Sequence, residues 1–258
     1  MSELSQVLLD DPSLAEALEG KRLRAAQRDC VARTTVLPPG EWVPQEGRDG
    51  TQGDIGLLVV DGLLLRRVEL GTRFSAELLG DGDVLRPWQR DDLATTLPRS
   101  DEWAVLEPTR VAILDGAFTL RASRYPEVVA GICARLVRRQ RALAAIIAIV
   151  HHPRVDARLQ MLFWELADRW GTVHRDGVRL PLRLPHAVLA DLVAAQRQTV
   201  SKALGDLAER GLVRWTGEAW LISGPAPAPQ ASSGAEGASE RTRAGGRKWA
   251  PERKRAHL

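Results

Sequence analysis

The chain has little cysteine and no long apolar run. Its two cysteines, Cys30 and Cys133, are too few and too far apart for a disulfide scaffold, an iron–sulfur cluster or a zinc site. No run of about 18 apolar residues occurs, and the segment from Met1 to Gly20 carries acids where a secretory signal is basic and then apolar. We therefore expect a cytoplasmic protein without membrane attachment.

Local signatures of catalysis are also missing. The sequence contains no nucleophile beside a base in a recognisable motif, no phosphate-binding glycine loop and no group of metal ligands at suitable spacing. It therefore predicts a protein that is not an enzyme, binds no metal and carries no cofactor.

Acidic and basic residues are distributed unequally along the 258 residues, although the whole chain has a net charge of only +3. The net charge is −8 for residues 1–120, +5 for 121–152, +2 for 153–223 and +4 for 224–258. The first segment repels a polyanion and the later ones attract it, because phosphate affinity is largely electrostatic. This asymmetry predicts a nucleic-acid partner for the C-terminal half and a different role for the N-terminal half.

Residues 1–120 predict N-terminal helices followed by a β domain. The first thirty residues have apolar positions at three- and four-residue spacings, which favours one or two short helices. Short apolar runs punctuated by Gly, Pro and Asp then indicate an antiparallel β unit. The clearest hairpin is predicted from Ile55–Val60 to Leu63–Val68, across the Asp61-Gly62 pair. Later strands are expected at Val105–Leu106 and Val111–Leu114, around Pro108.

Residues 121–152 predict one long helix that begins at Pro126 and ends near Val150, before Pro153. Its apolar residues recur every three or four positions, so the helix either pairs with a copy of itself or packs on its own domain. We assign it as a dimerisation helix. The predicted dimer interface consists of Val129, Ile132, Leu136, Leu143, Ile146 and Val150. The nearby basic run is interpreted as a solvated helix face and comprises Arg135, Arg138, Arg139 and Arg141.

Residues 153–223 predict three helices and two strands in the order of a winged helix-turn-helix. The helices are expected at Ala157–Trp170, from about Pro185 to Val193 and from about Arg197 to Arg210, with the turn at Ala194–Gln196. The wing strands are expected at Leu212–Arg214 and Trp220–Ile222. The inward positions of the helix pair are predicted to be Leu189, Ala190, Val193, Val200, Ala203 and Leu204, with the small Ala190 and Ala194 at the crossing.

The third helix presents polar residues and no acid on the first part of its outer face. Arginine can pair with guanine, glutamine with adenine, and hydroxyl groups with phosphate or base edges. A merely solvated face is the alternative, but the helix order, the turn and the wing together favour DNA recognition. The predicted DNA-binding residues are Arg197, Gln198, Thr199, Ser201 and Lys202, with His186 at the start of the second helix and Arg214 in the wing.

The run Arg197-Gln-Thr-Val-Ser-Lys202, with the residues around it from Ala187 to Val213, resembles the Crp/Fnr family of regulators. The resemblance implies an α+β fold over residues 8 to 223: an N-terminal antiparallel, jelly-roll-like β-roll, a long dimerisation helix and a C-terminal winged helix-turn-helix. It also implies that Arg197, Gln198 and Lys202 contact bases. The family signature resembles Arg-Glu-Thr-Val-Ser-Arg. The Gln and Lys here predict a different half-site, since Glu accepts from cytosine whereas Gln favours adenine.

The sensory half departs further from the family. Members that bind cyclic AMP have a Phe-Gly-Glu-Leu stretch after a Gly-Asp pair, and a later Arg beside Ser or Thr. Here Gly82-Asp83 is followed by Val-Leu-Arg-Pro-Trp-Gln-Arg, so we expect no cyclic-nucleotide binding. The sequence leaves room for another small effector, and Arg86, Trp88 and Arg90 are the candidate pocket for an anion. A solvated loop with one packed tryptophan is the alternative.

The tail, residues 224–258, is rich in Pro, Ala, Gly and Ser and then in Arg and Lys. This composition predicts a disordered basic segment that adds nonspecific phosphate contacts.

Together, these features predict a bacterial transcriptional regulator that binds a near-palindromic DNA site as a homodimer. Its two recognition helices would enter major grooves about 34 Å apart, with RNA polymerase as a further partner. The alternative is a nucleotide- or metabolite-sensing protein whose winged helix mediates protein contacts. The sequence does not specify the target genes, the choice between activation and repression, or the effector.

Overall fold

The computed structural model describes residues 3–44, 54–71, 73–88 and 99–227. The elements of the N-terminal half are β1 (Glu3–Gln6), α1 (Val7–Asp10), a 3-10 turn (Pro12–Ala15), α2 (Gly20–Asp29), β2 (Val31–Leu37), β3 (Gly40–Glu41), β4 (Gly56–Leu70), β5 (Arg73–Gly80), β6 (Val84–Leu85) and β7 (Arg99–Leu114). They are followed by α3 (Gly116–Ala122), α4 (Pro126–Val150), α5 (Val155–Trp170), β8 (Thr172–His174), β9 (Gly177–Leu180), α6 (His186–Leu192), α7 (Arg197–Glu209), β10 (Val213–Trp215) and β11 (Trp220–Ile222).

The N-terminal strands form one antiparallel sheet, which confirms the predicted fold class. The strand order is β1-β2-β7-β4-β5, with β3 added on β7 and β6 on β4. Strands β4 and β7 pair along nearly their whole length and form the centre of the sheet. One or two short N-terminal helices were predicted, and α1 and α2 are present; β1, which pairs with β2, was not predicted.

The predicted hairpin at Asp61-Gly62 is wrong, because β4 runs through this pair without turning. Gly62 has φ 105°, and a Cβ there would lie 2.6 Å from the carbonyl oxygen of Pro108 on β7. Pro108 has no N–H group to donate to the ladder. Beside it, the Leu63 amide donates to the Thr109 hydroxyl, at 3.1 Å. The Asp-Gly pair therefore makes a bulge that continues the strand, and the two later strands predicted around Pro108 are one strand, β7.

Three apolar clusters hold the described residues together. One joins the N-terminal helices to α3 and the start of α4, and a second fills the space beside the sheet around Trp103, which meets Trp42 edge to face at 5.6 Å. The third belongs to the helix-turn-helix part but includes Leu63, Leu65 and Ala76 of β4 and β5. The sheet and the C-terminal helices therefore share one core.

The long helix α4 begins with Pro126 as predicted, but its basic residues do not form a uniformly solvated face. Arg135 pairs with Asp11 at 2.7 Å, and Arg139 pairs with Glu77 of β5 at 2.6 Å. Arg139 also donates to the Val84 carbonyl at 3.1 Å. Arg139 therefore attaches the helix to the sheet and Arg135 attaches it to the N-terminal segment, which corrects the interpretation of the basic run.

The apolar face of α4 that remains uncovered differs from the predicted one. Ile132 is only 3% exposed because it packs in the cluster under the N-terminal helices, so its assignment to a dimer interface is wrong. Ile146 packs against the core of the C-terminal helices. The exposed large apolar residues of α4 are Val129, Leu136, Val137 and Ile147. Two of the predicted interface residues, Val129 and Leu136, therefore lie on the uncovered face.

Candidate nucleic-acid interface

The C-terminal part consists of α5, α6 and α7 beside a sheet of strand order β10-β11-β9-β8. Helix α5 begins two residues before the predicted Ala157 and buries Leu159, Leu162, Phe163 and Leu166. The sequence analysis missed the hairpin of β8 and β9. Its signal was the turn at Arg175-Asp176 before Gly177, where φ is 140° and only glycine is unstrained.

Helices α6 and α7 form the helix-turn-helix, and all the predicted inward positions are buried. The prediction that Ala194 lies where the two helices cross is wrong, because Ala194 is exposed in the turn, with φ 48°. The turn is fixed from α5, since Arg158 donates to the carbonyls of Val193 at 3.0 Å and Ala194 at 3.3 Å. These are carbonyls that the end of α6 leaves without helical partners. The angle between α6 and α7 is thus supported by a third helix.

The outer face of α7 is accessible, as the periodicity predicts. Arg197, Gln198, Thr199 and Lys202 are exposed in its first turns, and no acid lies in the first turn. One turn further, Gly205 leaves open space on this side of the helix. Within the described residues, neither Arg197 nor Lys202 has an ion-pair partner. Both cations are therefore available to an external partner.

Ser201 is half-buried and ties α7 to the start of α6. Its hydroxyl donates to the Arg197 carbonyl at 3.0 Å and lies 2.8 Å from Nδ1 of His186. Because the hydroxyl has one hydrogen, donation to the carbonyl requires that His186 Nδ1 carries the proton between the two side chains. Ser201 thus orients the ring of His186, which is half-buried.

The wing provides further surface beside the helix pair. Arg214 is exposed on β10, and the next residue, Trp215, is 40% exposed while its ring lies 5.4 Å from that of the buried Trp220. A groove of about 420 Å³ separates the wing from the start of α6 and is lined by Arg183, His186 and Trp215 among others. Arg183 and Trp215 were not among the predicted residues, because no local pattern places them on one groove.

The three candidate ligand residues of the sensory half do not behave alike. Arg86 is exposed, and its side chain passes over Gly56, where a Cβ would lie 2.8 Å from its Cγ. Trp88 is half-buried and packs against the apolar cluster beside the sheet. Arg90 lies outside the described residues. This arrangement agrees with the alternative of a solvated loop with one packed tryptophan.

The described residues contain neither a helix suited to span a membrane nor a cluster of metal ligands. None of their helices has the combination of length and apolar character that a membrane span requires. No three His, Cys, Asp or Glu side chains among them come together in a way that could hold a metal ion. The basic tail beyond residue 227 lies outside the described part of the chain.

Comparison with protein families identifies the C-terminal part. Residues 157–225 match the Crp-like helix-turn-helix domain. Over 199 residues, the chain is 28% identical to the CRP-like cAMP-activated global transcriptional regulator of Mycobacterium tuberculosis, an alignment that covers 72% of this chain and 82% of the relative.

Solved structures of similar fold cover most of the chain. The CooA mutant from Carboxydothermus hydrogenoformans matches with a TM-score of 0.61 and 19% identity, covering 82% of this chain and 92% of that one. FixK2 from Bradyrhizobium japonicum matches with a TM-score of 0.56 and 16% identity, covering 75% and 93%. At these identities, the matches establish the fold only.

Proposed function

We propose that this chain, a Crp/Fnr-type regulator homologue with a Crp-like helix-turn-helix domain, is a sequence-specific DNA-binding transcriptional regulator that acts as a homodimer. The observation that carries the proposal is the outer face of α7. It presents Arg197, Gln198 and Lys202 to solvent with no carboxylate of the described residues paired to either cation. In this assignment α7 enters the major groove, and these side chains read base edges.

The wing and the start of α6 supply the contacts that position α7. Arg183 and His186 line the groove between these elements, and Arg214 is exposed on β10. Contacts of this kind go to phosphates and fix the register on the duplex without reading the sequence. We assign Trp215 to the same surface, where its exposed edge packs against the sugar-phosphate backbone.

The dimer is assigned to the uncovered apolar face of α4, where Val129, Leu136 and Ile147 lie on one side of the helix. Pairing these faces between two chains buries apolar surface that water otherwise contacts. Two recognition helices related by the dimer axis then match a near-palindromic site, with the half-sites about one helical turn apart. RNA polymerase is the further partner through which such a site acts on transcription.

Control by cyclic AMP, which the name of the mycobacterial relative states for that protein, is not part of the proposal. Three features support this view. Trp42, Trp88 and Trp103 pack in the apolar cluster beside the sheet. Asp83 forms an ion pair with Arg169 at 2.7 Å. The Gly-Glu pair of the cyclic-nucleotide motif is missing after Gly82-Asp83. Calorimetric titration with cyclic AMP should give no saturable heat, and tight binding would remove this part of the proposal.

The test of the main proposal is selection of bound sites from random duplex DNA by the full chain. We expect a near-palindromic consensus, which Arg197→Ala should abolish, because each bidentate arginine–guanine contact discriminates by about 1–3 kcal/mol. The matched control is Arg210→Ala, at the residue that directly follows α7 and pairs with Asp156 at 3.2 Å. Loss of the consensus in the control alone would contradict the assigned register.

A further inference from the structure

A second cavity lies at the junction of the three parts of the chain, away from the DNA-facing surface. It has a volume of about 430 Å³, and its walls come from β5, α4, α5 and the end of α6. This volume lies within the range of small-molecule sites. An occupant would touch the sheet, the long helix and the helix-turn-helix at once.

The floor of this junction cavity is apolar. Its lining includes Leu78 of β5, Leu143 and Ile146 of α4, Leu166 of α5 and Trp170 at the end of α5. The Trp170 ring is held in place by Arg169, whose guanidinium carbon lies 4.2 Å from the ring centroid. Such a floor favours a ligand with an apolar body, because binding removes apolar surface of both from water.

The charged residues of the cavity fall into two groups. Glu77 and Arg139 neutralise each other at 2.6 Å, and Arg169 is paired with Asp83 at 2.7 Å. The second group is Arg138 and Arg141 on α4 and Glu165 and Asp168 on α5, and no side-chain hydrogen bond or ion pair joins any of these four to another described residue. The cations and the carboxylates therefore stand on different walls and do not meet.

Glu165 is half-buried, and Arg138 is exposed at the rim of the cavity. Partial desolvation and then the nearby Arg135 and Arg169 lower the pKa of Arg138, against a smaller opposing effect of Asp83 and Asp11. Burial raises the pKa of Glu165, and the negative charge of the nearby Asp168 adds a smaller effect in the same direction. Each shift disfavours the charged form of its group, so each group would gain from an opposite charge placed beside it.

We propose that the junction cavity binds a small zwitterion with an apolar body, of the class of α-amino acids with large apolar side chains. The ligand carboxylate pairs with Arg138, the ammonium group pairs with Glu165, and the side chain lies on the apolar floor. We further infer that occupancy changes DNA affinity, since the ligand contacts α4 and α5 together. This second step rests on the proposed function, whereas binding to the cavity does not.

The binding step is tested by calorimetric titration of the full chain without DNA, with phenylalanine and leucine as probes. We expect saturable binding of at least one of them. Three analogues of phenylalanine each lack one group that the site recognises: N-acetylphenylalanine lacks the ammonium group, phenethylamine the carboxylate, and alanine the large apolar side chain. Each should bind at least about tenfold more weakly than phenylalanine, because a lost ionic hydrogen bond or apolar contact is worth that much.

Three variants locate the site. Arg138→Gln and Glu165→Gln should each weaken binding by at least about tenfold, and Ala145→Phe, which fills the cavity, should abolish it. The matched controls are Arg124→Gln and Glu16→Gln, which change exposed residues outside the cavity and should leave affinity unchanged. Circular dichroism of each variant checks its fold. Absence of saturable binding, or binding that none of the three cavity variants weakens, would overturn the proposal.

The coupling step is tested by measuring the affinity for a selected DNA site with and without the bound amino acid. We expect a change of at least about fivefold in either direction, the lower end of typical allosteric coupling. If the affinity for DNA were unchanged when the cavity is saturated with the amino acid, the coupling proposal would be overturned, whereas the proposed binding site would stand. If the chain bound no DNA, the proposed function would fail while the titration without DNA still decided the site.

Discussion

The arginines of the sheet region and the cations of the helix-turn-helix surface have opposite surroundings. In the first region, Arg66, Arg110 and Arg139 each contact two carboxylates or a carboxylate and a carbonyl. On the second surface, none of the described carboxylates pairs with Arg197, Lys202 or Arg214. The paired arginines of the sheet region hold elements together, and only the unpaired cations of the helix-turn-helix surface are available to phosphate. The net charge of a segment does not distinguish paired cations from unpaired ones.

The largest expected effect comes from removing a shared carboxylate in the sheet region. Glu77 is 7% exposed and accepts hydrogen bonds from both Arg66 and Arg139. Glu77→Ala leaves two partly buried guanidinium groups without this partner and should lower the free energy of unfolding by about 3 kcal/mol. Chemical denaturation measures the change. Glu102→Ala removes a more exposed partner, that of Arg67, and should cost less than about 1 kcal/mol.

The next effect separates the two faces of α4. Leu136→Asp places a charge on the uncovered apolar face, so it should convert a dimer to monomers in sedimentation without lowering the stability of the monomer. Ile132→Ala, on the face turned to the chain's own core, should lower stability by about 3 kcal/mol and preserve the dimer. The reverse pattern would show that the dimer uses another surface.

A smaller effect is expected when an unpaired cation of the wing is removed. Arg214→Ala should reduce the slope of log affinity for DNA against log salt by about 1, because one phosphate contact is lost. Arg110→Ala removes a cation that is already paired with Asp10 and Asp61, so the slope should not change. An equal loss of slope in the two variants would show that ion pairing does not withhold cations from DNA.

The smallest effect concerns pH. The side-chain hydrogen bond from Arg154 is the main cause that lowers the pKa of Asp156, with a smaller contribution from Arg210. The ionised carboxylate therefore stabilises the fold above the pKa of the unfolded chain, and this stabilisation is lost as pH falls through the lower pKa of the folded state. Asp156→Asn should flatten the stability profile in that acidic window by less than about 1 kcal/mol, since Arg154 is largely exposed. Denaturation midpoints across acidic pH measure it.

The two regions also differed in how well the sequence predicted them. The helices α4 to α7 were found to within two residues, because their signals are local: apolar spacing of three and four, Pro126 at a helix start, and Gly211 after α7. The β region was less predictable. The pair Asp61-Gly62 predicts a turn as readily as a bulge, and only the opposing Pro108 and Thr109, far along the chain, select the bulge.

The candidate site was predictable for a similar reason. The outward position of Arg197, Gln198 and Lys202 follows from which residues of α7 are apolar. The contact between His186 and Ser201 joins two helices across a turn, and the groove at Arg183 and Trp215 joins a wing to a helix start. No local pattern encodes such contacts, so the sequence analysis named residues 186 and 201 without their relation and missed residues 183 and 215.

By itself, the sequence determined the helix-turn-helix, the register of its outer face and the course of the long helix, because these depend on residues a few positions apart. Tertiary structure alone decided which arginines are neutralised, which face of α4 stays uncovered, and how a cavity forms between β5, α4 and α5. Each of these depends on side chains that are distant in sequence and become neighbours only when the core of the sheet and the C-terminal helices closes.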